Sequence, residues 1–290
     1  MPINSERCQF VFQKTERDLL KLSSGQQAEQ VHSFRTSSRR LQTLLEDLVP
    51  QRSRNEKKLL KLVSQIRKRA GKVRDLDVQL AALRALKIPQ EPRRKTQLMH
   101  ALIELRAKHE NKLRKLLTKD AIRETRKRLK RASKEMKLET GSDPLAVARQ
   151  MLAQVRAPEA RAPEARLTEP VLHRYRVVVK RARYAAEFAP KSAGASQFLE
   201  QLQRLQDAIG DWHDWLTLTH TATARLGDVS QSPLVAALHN LTGSKFRRAV
   251  AALSDSPTVQ PAPTVQGKAA GLRKLGTTTP TLVERASPAA

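Results

Sequence analysis

One cysteine, Cys8, stands in 290 residues, so no internal disulfide can form, which suits a reducing compartment. Aromatic residues make up only 3% of the chain. Proteins that hold single-stranded nucleic acid stack bases on exposed rings, and few rings are on offer. No run of about 18 apolar residues occurs, and the stretch from Met1 to Phe12 lacks the charged-then-apolar pattern of a secretory leader. The expectation is a soluble, cytoplasmic protein that does not enter membranes. Acid is the largest deficit: 28 Asp and Glu face 55 Lys and Arg, a formal charge of +27. Self-repulsion on that scale is tolerated if the fold spreads the charge or a polyanion neutralises it. Nucleic acid, an anionic membrane surface and an inorganic phosphate polymer are the candidate partners.

The motifs of common catalytic sites are missing too. No phosphate-cradling glycine loop, HExxH zinc helix or Cys/His cluster is present. The pair His109–Glu110 lacks a second histidine, and no nucleophile has an evident base partner. A non-catalytic protein with no cofactor and no resident metal is expected.

What is present is helix-forming material: Leu, Ala, Arg, Lys, Gln and Glu dominate, and β-branched runs are rare. Helical periodicity runs from Phe10 to Leu22, from Gln26 to Leu48 before Pro50, and from Arg54 to Leu86. It resumes from Lys95 to Lys137 with a break near Lys119–Asp120, where Asp120 is a candidate N-cap. The turn residues of Glu139–Pro144 mark an internal boundary. A short helix from Pro144 to Val155 precedes a tandem Ala-Pro-Glu-Ala-Arg repeat at Ala157–Arg166, read as an exposed loop. Helices follow at Glu169–Ala189, Ala195–Ala224 and Ser232–Ala252, and the Pro/Thr/Ala-rich stretch 254–290 reads as a disordered tail.

Two of these helices repeat one pattern. Val31-His32-Ser33-Phe34-Arg35 leads to Arg39-Arg40, and Leu172-His173-Arg174-Tyr175-Arg176 leads to Lys180-Arg181. On a helical wheel Arg35 and Arg39 lie within about 60° of His32, with Arg40 about 80° to the other side. Phe34, Leu41, Leu44, Leu45 and Leu48 gather opposite. The second copy places His173, Arg176, Lys180 and Arg181 likewise, with Tyr175, Val178 and Ala182 opposite. The next helix sets Lys57, Lys61, Lys68 and Lys72 in one line against Leu59, Val63, Ile66, Ala70 and Val73. Arg204 matches Lys68 when Ile66-Arg67-Lys68 is laid on Leu202-Gln203-Arg204. Lys108, Lys112, Lys115 and Lys119 form a further stripe.

A basic stripe is usually a solvated helix face, but such faces mix signs through Glu–Lys pairs one turn apart. His32–Arg40 and His173–Arg183 contain no acid, and the arrangement occurs twice. The likeliest bland roles belong elsewhere: His109 sits on an apolar stripe, and Trp212 and Trp215 read as packing residues. Asp75 and Asp77 in one half, and Asp207, Asp211 and Asp214 in the other, read as partners for nearby Arg and Lys. A divalent cation beside a phosphate chain is the alternative for them.

With Arg74-Asp75-Leu76-Asp77 after the first copy and Leu205-Gln206-Asp207-Ala208-Ile209-Gly210-Asp211-Trp212 after the second, the chain resembles the CHAD family (conserved histidine α-helical domain). The resemblance covers Gln9 to Leu253. It implies an all-α domain over 5–253, with halves of about 5–138 and 144–253. Each half is expected to be a four-helix bundle, the two related by a pseudo-twofold about a basic groove or pore. It also implies binding of inorganic polyphosphate, association with polyphosphate granules and, in some relatives, company with triphosphate tunnel metalloenzymes, whose alternating Glu motif is missing here. The family's basic positions carry over to His32, Arg35, Arg39, Arg40, His173, Arg176, Lys180, Arg181 and Arg183. Gln42 departs from the pattern where a basic residue is common, and the helix before Gln26 is short.

The expected ligand is thus polyphosphate, gripped by these residues together with Lys57, Lys61, Lys68, Lys72 and Arg204. Granule-associated proteins are further expected partners. The rival expectation is a helical protein that binds RNA or DNA non-specifically; no helix-turn-helix, zinc finger or base-stacking platform is visible for it. A third is an adaptor whose basic faces meet acidic proteins.

Overall fold

Asn4, Ser53, Thr118, Ser192 and Ser232 each turn a side-chain oxygen onto the backbone N–H three residues on, and a helix begins after each. Ser53 completes a capping box with Glu56. The computed structural model describes residues 3–49, 51–87, 91–136, 143–160 (side chains to 156) and 167–256. All described residues are helical or connect helices, and they fall within the compact unit Met1–Gln260. Among them no helix is long and apolar enough to cross a membrane.

The elements are α1 (Ser5–Ser24), α2 (Ala28–Thr43), a π-helical turn (Leu44–Leu48), α3 (Arg54–Ala85), α4 (Pro92–Arg114) and α5 (Lys119–Glu135). After the internal boundary come α6 (Pro144–Ala160), α7 (Glu169–Ala186), α8 (Ala193–Leu226) and α9 (Pro233–Ser254). Three details differ from the sequence expectation. Thr118, not Asp120, caps α5, because its hydroxyl reaches Ala121 N at 3.2 Å while Asp120 pairs with Arg123. The helix expected to reach Leu48 relaxes at Leu44 into a π turn closed by Val49 N to Leu44 O. Helix α6 runs on through the first Ala-Pro-Glu-Ala; the rest of that repeat and the tail beyond 256 lie outside the described residues.

The packing order repeats. Helix α1 packs on α2, α2 on α3 and α3 on α4; α6 packs on α7, α7 on α8 and α8 on α9. Between the halves, α2 meets α7 and α3 meets α8, so equivalent helices face each other as a twofold relation requires. Helix α5 packs on α1 and α3 and has no counterpart, so the first half carries five helices rather than four.

Most apolar stripes turn inward as the periodicity required. Phe34, Leu41, Leu44, Leu45, Val63, Ala70, Val73, Tyr175 and Ala182 are buried in one core that runs through both halves, but on α7 it is Val179 that is buried there and the expected Val178 is only half-buried. A second core joins the C-terminal part of α3 to α4, α8 and α9 through Leu76, Leu83, Leu98, Leu102, Leu218 and Leu238. Burying side chains of this size stabilises by about 1.5–3 kcal/mol each, which sets the four central helices in register. The cationic sides of α2, α3 and α7 are thereby brought around one groove, opposite α8.

A candidate polyanion groove between the two halves

Helices α2, α3, α7 and α8 enclose a groove of about 400 Å3. Helix α2 contributes His32, Arg35 and Arg39; α3 contributes Arg74 and Asp75; α7 contributes Arg176, Lys180 and Tyr184; α8 contributes Asp207, Asp211 and Asp214. The halves therefore bring the two repeated motifs together, one residue set from each. The groove is two-sided: the cations come from α2, α3 and α7, while α8 supplies carboxylates.

Arg35 is anchored. Its Nη1 donates to Gly71 O at 2.8 Å and to Asp75 Oδ1 at 3.0 Å, and the side chain is 16% exposed. Arg39, Arg74, Arg176 and Lys180 form no ion pair with a described residue. The Nε of Arg176 is buried without a hydrogen-bond partner. Arg67 stands behind Arg39, donating to Ser38 O and Ser64 Oγ at 3.4 Å.

Such crowding has a measurable signature. Burial, then Arg176, Arg39 and Arg35, push the Lys180 ammonium from 10.5 down to about 8, with Asp214 opposing. Burial and Arg39 bring Arg67 to about 10. Arg39 and Arg176 are lowered mainly by burial; Arg35 adds to the lowering of both, while Asp214 and Asp75 support Arg176. His32 is lowered by burial first and then by Arg74. The shared leading cause is burial in a partly dry site, to which neighbouring like charge adds.

Other expected binding residues are placed differently. Arg40 donates to Glu187 through Nε at 2.5 Å and Nη2 at 3.1 Å. The same carboxylate takes Arg183 at 2.9 Å and Arg7 at 3.2 Å, and Arg40 and Arg183 also lie over the Tyr184 ring. Arg181 pairs with Asp47, its Nε 2.7 Å from Oδ2. These three arginines are therefore corrected out of the groove, because a carboxylate already satisfies each. His173 lines a different, largely apolar hollow with Val177, Val178 and Arg181, and its ring lies 5.3 Å from that of His213. Burial and His213 lower its pKa. Arg204 is 81% exposed on α8, and Lys57, Lys61, Lys68 and Lys72 are exposed along α3; none of them lines the groove.

Sequence reasoning missed Arg74 as a groove residue, and Arg67 as its neighbour outside the lining. They stand seven residues apart on α3, a repeat that keeps both on one side of the helix, and that regularity was the available signal. Of the acids, Asp75 pairs with Arg35, Asp211 with Lys245 at 2.7 Å, and Asp207 accepts from Gln203 at 2.7 Å. No group of three His, Cys, Asp or Glu side chains that could hold a metal occurs among the described residues.

The family model described as the CHAD domain matches residues 8–223. A solved structure, the crystal structure of the CHAD domain from the plant Ricinus communis, is similar over 86% of this chain and 86% of its own, with 18% identity and a TM-score of 0.57. At that identity the likeness speaks for the fold alone. No curated protein matches the chain.

Proposed function

This chain belongs to the CHAD domain family, and we propose that its groove binds inorganic polyphosphate without catalysing its turnover. One observation carries the reading: Arg39, Arg74, Arg176 and Lys180, from three helices and both halves, converge half-buried with no ion pair among the described residues. A protein leaves cations unpaired in a partly dry site at a cost of several kcal/mol each, and a bound polyanion removes that cost. Arginine offers a fork of donors to phosphate oxygens, and lysine an adjustable point charge. Polyphosphate presents closely spaced charge and no base edges, which suits a groove with many donors and no reading surface. Tyr184, the one Phe, Tyr or Trp among the described groove residues, is 4% exposed and lies beneath Arg40 and Arg183, so it offers no platform for stacking bases. Binding of this kind would place the chain at polyphosphate granules in the cytoplasm, in the company of other granule proteins.

The test is a competition titration of labelled long-chain polyphosphate against duplex DNA and RNA at physiological salt. Wild type is compared with an Arg39→Gln/Arg176→Gln/Lys180→Gln variant. Each charge-assisted contact contributes about 1.5–3 kcal/mol, so the triple variant should bind at least a hundredfold more weakly, with a shallower salt dependence. Equal affinity of the two proteins, or displacement by duplex DNA at equal phosphate concentration, would refute the reading.

A further inference from the structure

The lysine lines on α3 and α4 are not absorbed by the groove, and the fold brings parts of them together. Helix α4 packs along α3. His109 on α4 lies within the electrostatic reach of Lys112 and Lys108 from its own helix and of Lys72 and Arg69 from α3. All four of these cations are exposed. None forms an ion pair with a described residue, and the two acids of α4 do not relieve them. Glu110 is engaged by Arg106 and Arg114, and Glu104, one turn before Lys108, makes no ion pair.

On helix α5 the arginines are paired, whereas Lys119, Lys127 and Lys134 form no ion pair with a described residue. There Arg123 meets Asp120, Arg126 meets Glu16, Arg128 meets Glu124 and Arg131 meets Glu135. Pairing of that kind is the common state of an amphipathic helix. On the α3/α4 seam Arg106 is likewise held by Asp77 and Glu110, and Arg114 by Glu110, while Lys68, Arg69, Lys72, Lys108 and Lys112 form no ion pair with a described residue.

The seam also adjoins the groove. Asp75, at 53% exposed, stands on the groove lining of α3. Lys72 lies less than one turn before it, about 4.5 Å along the axis, and Lys68 two turns before it on the same side, about 10 Å along. A phosphate chain that leaves the groove past Asp75 therefore meets Lys72 and Lys68 next, and then the α4 lysines.

Resting on the groove reading, we propose that the outer seam of α3 and α4, formed by Lys68, Arg69, Lys72, Lys108 and Lys112, is a track for the part of a long polyphosphate chain that extends beyond the groove. The groove grips a short segment, and the seam makes affinity grow with chain length. Lysine suits this role: it is exposed and adjustable, and it imposes no fixed fork geometry on a chain that passes over it.

A Lys72→Gln/Lys108→Gln/Lys112→Gln variant, whose changes are all at exposed positions, tests this by titration with tripolyphosphate and with long-chain polyphosphate. Circular dichroism checks that both proteins are folded. Tripolyphosphate should bind wild type and variant within about twofold, and long chains should bind the variant about tenfold more weakly, with a salt slope reduced by roughly 2. Equal long-chain affinity for both proteins would overturn the track, as would a loss confined to duplex DNA. Failure of the groove reading looks different: tripolyphosphate affinity would then survive Arg39→Gln/Arg176→Gln, and the track would fall with the groove it continues.

Discussion

Removing the charge of Lys180 should make the protein more stable and its polyanion binding weaker. The ammonium is brought from 10.5 to about 8 by burial and by Arg176, Arg39 and Arg35. At 1.36 kcal/mol for each tenfold change, that step corresponds to about 3 kcal/mol disfavouring the charged form. Water and counterions in an open groove screen part of it, leaving about 1–2 kcal/mol for Lys180→Met to recover at pH 7. The direction with pH follows from the unfolded chain holding its proton longer than the folded one. Below pH 8 both states are charged and the full penalty applies. Between pH 8 and 10.5 the folded state sheds the proton first, so wild-type stability should climb towards that of the variant. Urea unfolding of both proteins at pH 7 and pH 10, in low salt, measures the difference. Added polyphosphate at pH 7 should reverse the order, because a ligand stabilises the form that binds it more tightly. A Lys180→Met protein less stable than wild type at pH 7, or a gap unchanged at pH 10, would show that Lys180 has a favourable partner and that the groove is not under strain from like charge.

Glu187 should behave in the opposite sense. Glu187→Gln strands Arg7, Arg40 and Arg183 around a neutral amide, and a loss of about 3 kcal/mol in urea unfolding is expected. On the acidic wall, Asp214 offsets the cations Lys180 and Arg176, so Asp214→Asn should strengthen polyphosphate binding by roughly two- to fivefold in a direct titration. His32 is held below its usual 6.5 by burial and Arg74. Charging of the ring should therefore add affinity only as pH falls below the usual histidine range, a gain that His32→Gln should abolish at fixed ionic strength.

The arrangement separates two uses of arginine that look alike in one dimension. Arg40 and Arg181 tie the halves together through Glu187 and Asp47, and Arg183 holds Glu187 from within the second half, while Arg39 and Arg176 form no ion pair with a described residue. A phosphate chain could recruit the first group only by breaking pairs whose carboxylates, Glu187 and Asp47, are 9% and 8% exposed. Breaking such a pair costs about 3–5 kcal/mol, more than one new phosphate contact contributes. Arg39, Arg74, Arg176 and Lys180 are the groove cations that form no ion pair with a described residue.

Helix content, most helix starts and the apolar stripes were legible in the sequence, because caps and 3.6-residue periodicity are local: Ser53 finds Glu56 within its own first turn. The repeat was legible for the same reason, and His32/Arg35/Arg39 and Arg176/Lys180 do meet in one groove. Which cations remain free was decided only by the tertiary structure. The carboxylate that takes Arg40 lies 147 residues away, and the one that takes Arg181 lies 134 away. A charge responds to what is near it in space, and a helical wheel holds no information about a neighbour on another helix. For that reason Arg74 joined the groove unannounced, His173 turned away to His213, and the lysines of α3 came to lie beside those of α4.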